Sequence, residues 1–206
     1  MIKQLTRYAA LAFIAPMMIS CGSASNSEVA QDDSTLYKMV NEDTQWVSLF
    51  DGQTLNGWHG YNKTTKVDNW IIEDSALVCL GAAEWDTGGD LVSDKEYGNF
   101  ELEWDWKIEK GGNSGLMYHV VEDPKYKGPY ETGPEYQMID DAGWPGKLED
   151  WQMTGADYAM NVANDKKKVN PAGEWNSSRI VFNNGHVEHW LNGEKIVEFQ
   201  AWTDEW

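Results

Sequence analysis

The chain has 206 residues, with 34 Asp and Glu against 16 Lys and Arg, for a formal charge of −18. That length suits one domain with a sizeable core, and the charge excludes a nucleic-acid backbone or an anionic membrane surface as partner. Twelve Trp and nine Tyr exceed what such a core needs, and surplus rings serve flat ligands such as sugars, or partner surfaces.

Lys3 and Arg7 precede an apolar run over residues 8–19, interrupted by Pro16. The run is too short to span a bilayer and has the build of a secretory leader. It ends in Met18-Ile19-Ser20-Cys21-Gly22, which resembles a bacterial lipobox, with Cys21 becoming the acylated first residue. The predicted organisation is a leader over 1–20, acylated Cys21 with a polar tether to residue 44, and one domain over 45–206. The predicted location is the bacterial cell envelope, as a periplasmic or outer-membrane lipoprotein touching the membrane only through its anchor. Cys79, the other cysteine, lies in the apolar run Ala76-Leu77-Val78-Cys79-Leu80 and reads as a buried strand residue. With Cys21 modified, neither an intrachain disulfide nor a Cys-based metal site is possible.

From Trp46 onward, short alternating runs are broken by Gly, Asn, Pro and Asp. In residues 100–108, Phe100, Leu102, Trp104, Trp106 and Ile108 share one face and Glu101, Glu103, Asp105 and Lys107 the other. This period of two predicts a half-buried antiparallel strand. Further strands are predicted over 116–121, 135–139, 179–182, 186–191 and 194–199. Asn192-Gly193 joins the last two as a type I′ turn, which needs positive φ at both positions. Helical periodicity is confined to a turn or two around 36–41 and 146–151. Strands at this spacing without intervening helices predict an all-β antiparallel sandwich or jelly roll.

In Glu135-Tyr136-Gln137 the Glu and Gln project to one face of a strand, about 7 Å apart, and Asp140 and Asp141 follow at its end. A carboxylate beside an amide suits a sugar site, the amide holding hydroxyls while the carboxylate moves a proton; the same pattern fits a solvated sheet face. His189 alternates with Val187 and Leu191, and His119 with Met117 and Val121. Each is either a satisfied core histidine or a titrating group at a cleft. Spacings for His-based metal sites, EF-hands, nucleophile elbows, P-loops and dinucleotide fingerprints are missing. No cofactor is implied with certainty, although an oxygen-ligated divalent cation is compatible with so many acids. Trp58, Trp85, Trp144, Trp151 and Trp175 read as loop platforms for sugar rings; Trp70, Trp104, Trp106 and Trp190 fall in strands and read mainly as core.

Six segments together resemble one family. They are Val47-Ser48-Leu49-Phe50-Asp51-Gly52-Gln53-Thr54-Leu55-Asn56-Gly57-Trp58; Gly89-Asp90-Leu91-Val92 with Tyr97-Gly98-Asn99-Phe100-Glu101-Leu102; Gly112-Asn113-Ser114-Gly115-Leu116; Thr132-Gly133-Pro134-Glu135-Tyr136-Gln137; Pro171-Ala172-Gly173-Glu174-Trp175-Asn176; and His186-Val187-Glu188-His189-Trp190-Leu191-Asn192-Gly193. In this order over residues 46–199 they resemble the DUF1080, or 3-keto-disaccharide hydrolase, domain. The resemblance implies a concanavalin-like β-sandwich with a concave sheet face, and cleavage of glycosides whose sugar is already oxidised at C3. It also implies a closing strand beyond Trp206, so this chain is expected to be truncated and its sandwich to lack its last strand. Where many members have Arg after Asn-Ser-Gly-Leu, this chain has His119.

A C3 ketone acidifies the C2 hydrogen; a base removes it and the enolate expels the C1 oxygen, with or without later addition of water. This chemistry needs a base, an acid and a donor at the enolate. Glu135 is expected as the base, His189 as leaving-group acid or enolate donor, and Asp140 as a third catalytic or metal-holding group. Gln137, Asn113, His119, Trp58 and Trp190 are expected to bind the carbohydrate. The rival expectation is a carbohydrate-binding domain without catalysis, since lectin-like sandwiches with loop Trp residues commonly only bind. A structural envelope lipoprotein is a third.

Overall fold

The computed structural model describes residues 9–12, 46–63, 68–81, 89–204 and 206. Eleven strands are described: β1 (Ala9–Ala12), β2 (Trp58–Gly60), β3 (Trp70–Glu73), β4 (Ala76–Cys79), β5 (Leu91–Ser93), β6 (Phe100–Ile108), β7 (Asn113–Met117), β8 (Glu135–Ile139), β9 (Asn176–Asn183), β10 (His186–Leu191) and β11 (Glu194–Gln200). The large sheet runs β11-β10-β9-β6-β1-β4-β3, with every pairing antiparallel. The pairs β2–β5 and β7–β8 make smaller sheets, and β8 packs its inward side chains against the large one. The protein is the expected antiparallel β-sandwich. Strand β1 lies inside the predicted leader and pairs with β4 at Ala9↔Cys79 and with β6 at Ala9↔Ile108. Cys21, the tether and Trp85 lie outside the described residues.

The alternation read in β6 decides the core. Trp104, Trp106 and Ile108 are buried while Glu101 and Glu103 are exposed. Small partners make room for the indoles: Trp104 stands opposite Ser178 of β9, and Trp106 Nε1 donates to Ser178 Oγ at 2.8 Å. Trp104 meets the Tyr136 ring edge-on at 5.0 Å, which couples β8 to the large sheet. Ile180, Phe182, Val187, Leu191 and Ile196 complete this layer. Fully burying an aliphatic or aromatic side chain of this kind contributes about 1.5–3 kcal/mol.

Tight turns set the register. Asn192 and Gly193 have φ of 49° and 85°, as a type I′ turn requires, and Asn184-Gly185 repeats the device between β9 and β10 at 49° and 83°. The strand expected over 116–121 is displaced: β7 covers Asn113–Met117. His119, at φ 53°, takes the left-handed conformation that a β-ladder cannot continue. It therefore does not alternate with Met117 and Val121. The helical turn expected near 146–151 is a short 3-10 segment, Asp150–Gln152.

Candidate active site

Glu135 opens β8 opposite Met117 of β7, and its carboxyl folds over Gly115. A Cβ at residue 115 would collide with Glu135 Oε1, so glycine in Asn113-Ser114-Gly115 makes room for the acid. On its other edge β8 pairs with a loop strand: Tyr158 N donates to Glu135 O at 3.0 Å, and Gly155 N to Gln137 O at 2.8 Å. The bridge Tyr136↔Asp157 belongs to the same pairing. Through it Asp157 enters the interior, fully buried.

Three carboxyls thus share one region. Burial pushes Glu135 up to about 7, and the negative charges of Asp90 and then Asp157 add to the effect. Asp157 is raised to about 6 by burial, opposed by the Asn161 amide, which donates to Oδ2 at 2.8 Å. Its Oδ1 is buried with no partner among the described residues. Asp90, just ahead of β5, is open to solvent, yet the protein around its carboxyl raises it, with the Lys63 charge opposing. Lys63 also lines an open cavity of about 450 Å³ with His59, Asn62, Asp94 and Glu122. Like charges held together in a partly desolvated place raise carboxyl pKa values into the range useful for proton transfer near neutrality.

The other expected residues lie elsewhere. His189 is a core residue, not an acid facing substrate: it is fully buried. Gly155 O, 3.0 Å from Nδ1, can only accept, so Nδ1 carries the proton and Nε2 accepts from Tyr118 Oη at 3.0 Å. Burial lowers this imidazole to about 4, which keeps it neutral. Asp140 is a loop clamp: Oδ2 accepts from Gly111 N at 2.8 Å and Oδ1 from Gly143 N at 2.9 Å. Both of its oxygens are thus engaged by backbone amides. Asp140→Ala should cost about 2 kcal/mol, because two amides lose charged acceptors; denaturant titration would show this, while turnover per folded molecule stays near wild type.

Gln137 shares Glu135's face of β8 but is buried, its Oε1 accepting from Met138 N at 3.0 Å. Asn113 is exposed at the end of β7 away from Glu135, about 13 Å along the strand. Trp58 is half-buried in β2, its Nε1 donating to Leu49 O at 2.8 Å. Trp190, read mainly as core, lies on the outward face of β10, the side opposite His189. Arg179 stacks over its ring at 4.3 Å, and its Nε1 donates to Glu188 Oε2 at 2.8 Å. His119 lines a different cavity. Sequence reasoning missed the roles of Asp90 and Asp157. The first lay within a quoted motif without being singled out, and the second has no periodic or motif signal.

Among the described residues, His186, Glu188 and Glu198 offer three potential metal-ligand atoms within 4.8 Å of one another. Lys195 Nζ already lies 3.1 Å from Glu188 Oε1 and 2.6 Å from Glu198 Oε2. A divalent ion would have to expel that ammonium, so the cluster does not fit one.

Residues 45–206 match the family of 3-keto-alpha-glucoside-1,2-lyase-like domains. The chain belongs to this family. The 3-keto-disaccharide hydrolase of Bacteroides thetaiotaomicron is 34% identical over 198 residues, covering 89% of this chain and 68% of that protein. A crystal structure of a glycosyl hydrolase-like protein from Parabacteroides distasonis superposes with a TM-score of 0.70 at 51% identity, over 77% of this chain and 73% of that one. A second from the same species reaches 0.55 at 30% identity, over 70% and 73%. At family level this 3-keto-alpha-glucoside-1,2-lyase-like domain is therefore of the 3-keto-disaccharide hydrolase kind, and a carbohydrate substrate fits it.

Proposed function

We propose that the protein cleaves glycosides whose sugar carries a ketone at C3, with Glu135 as the base that removes the C2 proton. The observation that carries this reading is a glutamate raised to near neutrality by burial and then by the charges of Asp90 and Asp157, seated over a glycine in the small β7–β8 sheet. The ketone makes the C2 hydrogen acidic, and the carboxylate takes it. The enolate's electron pair then re-forms a double bond as the C1–O bond breaks.

The departing oxygen needs a proton, and Glu135, which carries the one taken from C2, returns it there in place of His189, while ionised Asp90 keeps the Glu135 pKa high. Lys63, whose positive charge acts on Asp90, supplies cationic stabilisation on that side. Asp157 positions the charge balance: while ionised it keeps Glu135 basic enough to abstract a carbon-bound proton. Addition of water across the resulting double bond makes the net reaction a hydrolysis; release without it makes a lyase. On the leader and Cys21 alone, the protein acts at the cell envelope as a lipoprotein.

The test is incubation of the protein with a 3-keto-glucoside and with its unoxidised parent, with and without EDTA, followed by mass spectrometry. Cleavage of the keto compound alone is expected, and a loss of it in EDTA reveals a bound divalent cation. The product mass separates hydrolysis from elimination. Equal binding of both compounds with turnover of neither would overturn the enzymatic reading in favour of a carbohydrate-binding module.

A further inference from the structure

The open cavity that Lys63 lines also holds a histidine set between two carboxylates. His59, in β2, places Nδ1 2.8 Å from Asp94 Oδ1 and Nε2 2.8 Å from Glu122 Oε2. A carboxylate can only accept, so both ring nitrogens donate and the ring is an imidazolium. The same two contacts raise it above its ordinary 6.5, Glu122 first and Asp94 second.

Glu122 carries the contact onward. Its other oxygen, Oε1, accepts from Asn62 N at 2.7 Å. The Asn62 side-chain amide donates to Asp123 O at 3.1 Å and to Tyr126 O at 3.3 Å. Asn62 is the third residue of a turn that Lys63 N closes on Gly60 O at 2.8 Å, and its φ of 53° is one that asparagine tolerates. Tyr61 N, in the same turn, donates to Asp90 O at 2.9 Å. The turn bearing Lys63 is thus fixed on one side to the backbone of Asp90 and on the other to Glu122, which His59 holds in turn.

The side chains of His59, Asp94 and Glu122 are 25%, 54% and 31% exposed, and ion pairs so open to solvent add little stability. What the arrangement does supply is orientation, since a planar ring engaged at both nitrogens leaves Glu122 little freedom to turn. We infer that His59, with Asp94 and Glu122, positions Lys63 so that its ammonium meets the charge developing on the enolate. These three are positioning residues and do not touch the substrate. The inference rests on the reading in which Lys63 supplies cationic stabilisation, and adds the residues that orient it.

The experiment is a double-mutant cycle in the full chain, assayed with a 3-keto-glucoside. Lys63→Met removes the ammonium and keeps the stem. His59→Gln breaks the double contact, and Glu122→Ala breaks it from the other side, at an exposed loop position that keeps the test open if His59→Gln does not fold. Far-UV circular dichroism gives the folded fraction to which each rate is referred. His59→Gln and Glu122→Ala should each lower kcat about tenfold and leave KM within about twofold, because the interaction lost belongs to the transition state. Glu122→Gln still accepts from Asn62 N and should recover most of that loss. Lys63→Met should cost at least as much, and adding His59→Gln to it should cost nothing further.

Additive losses, about a hundredfold in the double variant, would mean that His59 does not act through Lys63 and would overturn the inference while leaving the role of Lys63 in place. Full activity in both His59→Gln and Glu122→Ala, or a change in KM with kcat untouched, would do the same. Full activity in Lys63→Met would remove Lys63 from the mechanism and the inference with it, whereas the role of Glu135 is judged separately by Glu135→Gln.

Discussion

Glu135→Gln should lower kcat/KM for a 3-keto-glucoside by about 10²–10⁴-fold, the span expected when a positioned general base is removed. Glutamine keeps the shape over Gly115, so the fold should persist and any lost rate reports lost basicity. The wild-type pH profile supplies a second readout. A base must be ionised to work, so kcat/KM should rise with pH through about 7, where burial and the neighbouring carboxylates hold Glu135, and then level off. Asp157→Asn removes one of those charges and should move this limb to lower pH. Gly115→Ala forces the Glu135 carboxyl from its seat and should cost about 10²-fold, the scale on which a 1 Å misplacement is felt. Near wild-type rates in both Glu135→Gln and Gly115→Ala would remove Glu135 from the mechanism.

The second large effect is on stability. His189 is fully buried and lowered from 6.5 to about 4, so the unfolded chain binds its proton more readily than the folded one. Stability from its neutral form is present above pH 6.5 and lost as pH falls toward 4, by an amount on the order of 3 kcal/mol. Glu135, raised from 4.5 to about 7, and Asp157, raised from 3.8 to about 6, have the opposite sign. Their protonation is easier in the folded state, so they destabilise as pH rises through those intervals. A plain pH scan therefore mixes the two. Comparison with His189→Phe separates them, because the carboxyls are common to both proteins and the phenyl ring does not titrate. The stability advantage of wild type over His189→Phe, measured by denaturant unfolding, should shrink by about 3 kcal/mol between pH 7 and pH 4. A constant difference would mean that the imidazole is not held neutral by the core.

What could be read from the chain alone was whatever local periodicity and turn chemistry dictate. The nine-residue alternation of β6 needs only strand geometry to put Trp104 and Trp106 inside, and Asn192-Gly193 needs only the steric freedom of positive φ. The quoted motifs added the family and Glu135. What the sequence could not reveal depends on which backbone atoms meet across the fold. His189 sits in a sandwich core because Gly155 and Tyr118, 34 and 71 residues away, bring it an acceptor and a donor. Asp140 reads as chemistry until the amides of Gly111 and Gly143 are found on its oxygens. Asp157 carries no pattern of its own, and only the pairing of its loop with β8 buries it near Glu135. A carboxyl's pKa is a property of the charges and solvent around it in space, so tertiary structure alone decided which of the 34 acids gather at Glu135.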